Sequence, residues 1–384
     1  MRIRMNRRMS GFTLVELMIS MGITMTLLYA AVSMFQNASQ SNQIVSQGTE
    51  MTDNLRVGLN LMIQDLQQAG TGIPTGGIPI PFTSNGAASP CGTTPEPKRP
   101  TLTGNTPFRA CNTTLPAVEP GYLLGPLVQA PDGTTSVGTD EITILYADNT
   151  LGTDVRPINV PANPGPPAQP ACNGTLTISG TTLNVLFDPS ASCWPPAQPG
   201  VQLNPGDLVM FSNTKGSTIM AVSSATGNTA TFATGDPFGL NARSTDNAGT
   251  IWQMQSSPAC GGTPACFPPT TALRIWMISY YLDNLTSPPY IRLIRRVNFN
   301  PGTPVGETLE NLQFTYNFVD GQTNPTNQPV IPTGDTELQI RSVNVLLGAR
   351  STFVSQTGNQ SKYARNNLVT QVSFRSLAYT NLYQ

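Results

Sequence analysis

From Phe12 to Phe35 the chain is almost uninterruptedly apolar, and Glu16 is its single charged residue. A helix over that stretch rises about 36 Å at ~1.5 Å per residue, enough to cross the hydrocarbon of a bilayer with some tilt. After a polar stretch from Gln36 to Gln43, apolar residues return at Met51, Leu55, Leu59, Met62, Leu66 and Ala69. Steps of three and four place them on one helix face. The first proline is Pro74, and only Gly22, Gly48 and Gly58 interrupt residues 12–69, so the pattern predicts one long helix. Gly70-Thr71-Gly72 ahead of Pro74 should stop it. The half over 12–35 is expected to span a membrane, and the amphipathic half over 36–70 to lie on its own domain's core.

Beyond Thr71 the pattern shortens. Runs of β-branched and aromatic residues bounded by turn residues predict strands at Glu141–Ala147, Leu183–Phe187, Asp207–Ser212, Thr218–Val222 and Thr229–Phe232. Stronger candidates follow at Ala272–Asp283, Tyr290–Val297, Leu312–Val319, Ser342–Ala349 and Leu368–Leu377, in an order that suggests an antiparallel sheet. Leu285–Pro289 reads as a hairpin loop. Within Gln313–Val319 the aromatics alternate, so Phe314, Tyr316 and Phe318 should share one sheet face and meet the helix stripe. Stretches dense in Pro and Gly, Thr71–Ser136 and Pro157–Gly200, read as surface insertions. The expected class is α+β, with a long N-terminal helix packed on an antiparallel β-sheet head.

Composition narrows the function. There is no histidine, which removes the commonest general base and metal ligand. Charged residues are 11% of the chain against 34 Gly and 35 Pro, a balance of strands and loops rather than of a helical enzyme. No metal site, cofactor or catalytic set is expected. Asp140-Glu141, Asp188, Asp236 and Asp246 read as solvated turns, and Asp320-Gly321-Gln322 as a hairpin turn rather than a calcium loop. Four of the 20 basic residues, Arg2, Arg4, Arg7 and Arg8, precede the apolar run, and the rest of the chain is net acidic. Nucleic acid therefore lacks its electrostatic footprint. The arginines read instead as a topological signal that keeps the N-terminus cytoplasmic. Six cysteines lie beyond the apolar run, an even count that favours disulfides outside the cytoplasm. Fifteen connectivities are open for six cysteines. The simplest joins neighbours: Cys91 with Cys111, Cys172 with Cys193, and Cys260 with Cys266.

The segment Gly11-Phe12-Thr13-Leu14-Val15-Glu16-Leu17-Met18-Ile19, behind an Arg-rich leader, resembles the N-terminal motif of type IV prepilins and type II secretion pseudopilins. The resemblance implies that a prepilin peptidase cuts between Gly11 and Phe12 and methylates the new Phe12 amine, leaving Glu16 as the fifth mature residue. Each part also has a physical reason. Gly11 lets the backbone open into a protease cleft. A carboxylate near hydrocarbon costs a few kcal/mol unless it is paired or snorkels, so Glu16 calls for a cation, and a neighbour's terminal ammonium would fix the axial register of packed helices.

The segments Asn311–Asn317 with Asp320-Gly321, Val343–Leu347, Arg365, Val372–Arg375, Asp65–Gly70 and Gly206–Phe211 resemble minor pilins of the PilW type and, more distantly, the J-type pseudopilin. The tryptophan-bearing turn usual after the Asp-Gly pair is absent, with Gln322–Gln328 in its place. The implied organisation is a leader over 1–11, a membrane half-helix over 12–35, an amphipathic half over 36–70 and an extracytoplasmic head over 71–384. The implied role is a minor pilin in the inner membrane that helps prime or cap a type IV pilus. Its partners would be other minor and major pilins, the peptidase and the membrane assembly platform. A pseudopilin at a secretion tip and a pilus-associated adhesin are the alternative roles.

Overall fold

The computed structural model describes residues 13–81, 98–102, 104–107, 114–129, 136–148, 156–162, 171–187, 203–241, 249–257, 260–284, 291–321, 331, 335–357 and 360–378. The fold is α+β and pilin-like: one long N-terminal helix, α1 (Leu14–Gln68), and antiparallel sheets. At ~1.5 Å per residue α1 is about 80 Å long. Thr13 caps its N-terminus, and Gly70 (φ 82°) and Gly72 (φ 73°) turn the chain out of its C-terminus. A side chain could not replace Gly72, whose Cβ would stand 2.6 Å from that of Ala147.

The principal strands are β1 (Val118–Gly121), β2 (Glu141–Ala147), β3 (Thr175–Ser179), β4 (Thr182–Leu186), β5 (Leu208–Asn213), β6 (Gly216–Ala221), β7 (Ser224–Thr226) and β8 (Thr229–Phe232). They continue with β9 (Thr271–Asp283), β10 (Arg292–Val297), β11 (Thr303–Glu307), β12 (Leu309–Phe318), β13 (Ile340–Thr357) and β14 (Gln360–Ser373). The largest sheet runs β6-β5-β9-β10-β11, with β2 paired along β9 on its other edge and β1 paired to β2. A second sheet is the meander β12-β13-β14, and a third is β3-β4-β8-β7. The sheet order is therefore not sequential throughout, because β2 reaches across the chain to pair with β9.

Helix and sheets meet in the principal core. Met51, Leu55, Leu59, Met62, Leu66 and Ala69 are all buried, and they share one cluster with Phe314, Tyr316 and Phe318 of β12 and with Val343, Val345 and Leu347 of β13. Gly58 permits the close approach, since a Cβ there would come within 3.0 Å of Leu293. The chain after β14 differs from the expected strand. Phe374 donates its N–H to Arg341, and Arg375–Ala378 then forms a helical turn that lays Leu377 against Gly70.

The Pro-rich stretch over 157–200 is only partly surface. Leu176 of β3, with Leu183 and Val185 of β4, builds a second core with Phe211, Phe232, Ile251 and Trp252. Phe211 and Phe232 meet edge to face at 5.3 Å. Asp140 and Glu141, expected in solvent, are buried. Backbone donors repay that burial: Asp140 accepts the N–H of Leu123 and of Phe314, each at 3.0 Å, and Glu141 accepts that of Leu102. Asp188, Asp246 and the Leu285–Pro289 loop lie outside the described residues. Asp320-Gly321 is a turn, with Gly321 at φ 88°.

Candidate functional site

The outer part of α1 packs on no other element among the described residues. From Leu14 through Glu50 nearly every residue is exposed, including Leu17, Ile19, Ile23, Leu27, Leu28, Met34 and Phe35. Exposed apolar area on this scale is unstable in water and needs a lipid or protein cover. Ser20, Thr24 and Thr26 each turn their hydroxyl back onto a carbonyl of the preceding turn, at 2.8–2.9 Å, so the helix satisfies its own donors. By length and composition the helix can cross a membrane, and it anchors the chain there near the N-terminus.

Glu16 stands at the tip of this helix. Thr13 Oγ1 accepts the Glu16 N–H at 3.3 Å, while Glu16 Oε2 accepts the Thr13 N–H at 3.2 Å and its hydroxyl at 3.1 Å. This capping box satisfies donors that a helix start leaves orphaned and sets the carboxylate at the positive end of the helix dipole. Thr13 is thus a partner of Glu16 that the apolar pattern does not reveal, although the Thr-x-x-Glu spacing does signal it. Gly11 and Phe12 precede the described residues.

The inner part of α1 is fixed by a buried polar cluster as well as by the stripe. Asp65 receives four bonds: Arg295 Nε at 2.6 Å and Nη2 at 3.1 Å, Tyr280 OH at 2.5 Å and Tyr146 OH at 3.2 Å. Burial first, then the Asp65 charge, pushes both tyrosine hydroxyls well above their ordinary titration range. Burial opposes the Arg295 charge, yet its bonds to Asp65 hold the guanidinium protonated more firmly than usual. One helix residue is thereby tied to β2, β9 and β10 together. The signal for it in sequence is a carboxylate beside the Met62 and Leu66 stripe positions.

Of the cysteines, the structure joins Cys260 to Cys266. Cys172 is also disulfide-bonded. Cys91, Cys111 and Cys193 lie outside the described residues. A second buried ion pair, Arg274 with Asp148, lies far along β9 with Arg274 stacked 4.9 Å over Trp276, and serves the head's own packing.

Residues 6–32 match the family model described as the prokaryotic N-terminal methylation motif. The match covers the end of the leader from Asn6, Glu16 and most of the exposed apolar helix, and it makes the chain prepilin-like at its N-terminus. No curated protein and no solved structure matches the chain.

Proposed function

We propose that the chain is a minor pilin of the PilW type: inserted in the inner membrane with its head on the periplasmic side, processed by a prepilin peptidase, and joined to other pilins in priming or capping a type IV pilus. The observation that carries the reading is the exposed apolar helix that begins at the matched motif and finds no cover among the described residues of its own chain. In this mechanism the peptidase cuts after Gly11 and methylates the Phe12 amine. Subunits then pack through α1, and Glu16 exchanges its capping bonds with Thr13 for a neighbour's terminal ammonium. A charged donor makes that exchange favourable, because charge-assisted bonds are roughly twice as strong as neutral ones.

Glu16→Ala separates the two steps. The variant should be cut at Gly11 and remain in the membrane, with its N-terminal mass that of a chain starting at methylated Phe12, yet co-purify with partner pilins at least tenfold less after crosslinking. Wild-type recovery of partners by Glu16→Ala would remove the register mechanism, and a mature protein that retains residues 1–11 would remove the processing step. The adhesin alternative calls for point changes on the surface insertions rather than deletions, since removing β3 and β4 would open the second core.

A further inference from the structure

The sheets of the head treat their edges unequally. The outer edge of β12 is covered: Asp140 donates its N–H to Leu312 O at 2.9 Å, its carboxylate accepts the Phe314 N–H, and Gln313 Nε2 bonds Gly138 O at 2.8 Å. The outer edge of β6 is covered by Asn241, whose side chain accepts the Ala221 N–H at 2.8 Å and donates to Ala221 O at 2.7 Å. On β3, Ile178 gives its N–H to Gly262. Short β11 holds Pro304 and lies against the helix, with Gly306 beside the Asn54 carbonyl. Uncovered edges are templates for pairing, and these four are closed by buried amides, a carboxylate, proline or the helix.

β14 is not closed in this way. It pairs only with β13 among the described strands and has no proline. Its register fixes which groups are left over. Phe374 donates to Arg341 O, so residues 366, 368, 370 and 372 bond β13 at alternate positions, and Asn367, Val369, Gln371 and Ser373 turn their N–H and C=O groups outward. No side chain from Asn366 to Ser373 is charged, and Val369 is 70% exposed. The other face is anchored, with Leu368 and Val372 packed on the core that holds α1.

We infer that residues 366–373 of β14 form a docking edge that accepts an extended strand from a neighbouring helix-bearing pilin subunit. The occupant follows from the chemistry and the position. A row of outward main-chain donors and acceptors at strand spacing is matched by another extended backbone. β14 itself lies against α1, so a subunit whose helix packs on α1 at an interaxial distance of about 8–10 Å carries its own head close to this strand. The inference rests on the pilin reading above, and it makes the contact between heads one of main-chain pairing.

Val369→Pro tests it in full-length protein in its native membrane. The substitution removes one outward N–H and leaves the ladder to β13 intact, as proline is tolerated on an edge. Thr370→Pro, whose N–H faces β13, is the control and should unfold the head. Val369→Pro should accumulate normally and be processed, while crosslinked recovery of partner pilins falls at least tenfold. A Val369→Cys crosslink should be recovered on a peptide from an extended segment of a partner's head. Wild-type recovery with Val369→Pro, or Val369→Cys crosslinks confined to partner helices, would overturn the docking edge. If Val369→Pro does not accumulate, Val369→Lys with Gln371→Lys keeps the backbone and is read in the same way. Glu16→Ala run in parallel separates the two ideas: loss there with no loss from Val369→Pro removes the edge alone, whereas failure of the wild-type chain itself to recover any pilin removes the pilin reading.

Discussion

The two halves of α1 have the same covalent continuity and opposite surroundings. Around Leu14–Phe35 the apolar residues ring the helix and lie bare, whereas around Met51–Ala69 they keep to one stripe and are buried. A helix that is apolar all round suits lipid or a bundle, and one with a stripe suits a single packed face. The difference teaches that, of the helix, only the inner half contributes to the head's stability. The outer half is free for other subunits and for lipid.

The sharpest way to break this contrast is Asp65→Ala. It leaves the Arg295 guanidinium and two tyrosine hydroxyls without their shared acceptor, inside the junction. Removing one partner of a buried pair costs about 3–5 kcal/mol, and the lower end fits here because the Arg295 side chain is 23% exposed. Detergent-solubilised full-length protein should melt at a clearly lower temperature. An unchanged melt would show that the stripe holds the helix unaided.

A paired substitution sharpens the contrast next. Met62→Ala removes a fully buried stripe residue and should cost about 2–3 kcal/mol of head stability. Leu27→Ala removes a larger exposed apolar surface and should change the head by less than about 0.5 kcal/mol. Equal losses would mean that the outer half contributes to the fold.

The smallest effect is a pH dependence confined to the junction. The folded state raises the titration of Tyr146 and Tyr280 above that of an unfolded chain. Between the two values the folded form holds protons that the unfolded form has lost, so stability falls as pH rises above about 10. Tyr146→Phe with Tyr280→Phe should flatten that fall in melts taken from pH 8 to 11. A slope as steep as wild type would place its origin elsewhere.

Periodicity made the long helix, its buried stripe and most strand positions legible in the sequence, because a 3.6-residue or two-residue repeat is written directly in residue order. The Gly11–Ile19 motif was legible for the same reason, being contiguous. What was not legible depends on partners distant along the chain. Asp140 and Glu141 read as solvated because their repayment comes from Leu123, Phe314 and Leu102. Leu176, Leu183 and Val185 sat within a Pro-rich stretch whose loops masked a second core. The strand expected through Leu377 ends at Ser373, since Leu377 finds its place under Gly70 only once the helix end is set. Asp65 likewise acquires its role only where β2, β9 and β10 converge on it.

Asp65 has a mechanical consequence. A pull along α1 toward the membrane would not peel the helix from the sheet one contact at a time. It would load the four bonds to Asp65 and the stripe from Met51 to Ala69 simultaneously, in shear, because the strands that hold them are themselves cross-linked by their ladders. Rupture of such a joint requires several contacts to fail in one event, so a load applied through α1 would be borne by the junction before it reached the loops of the head.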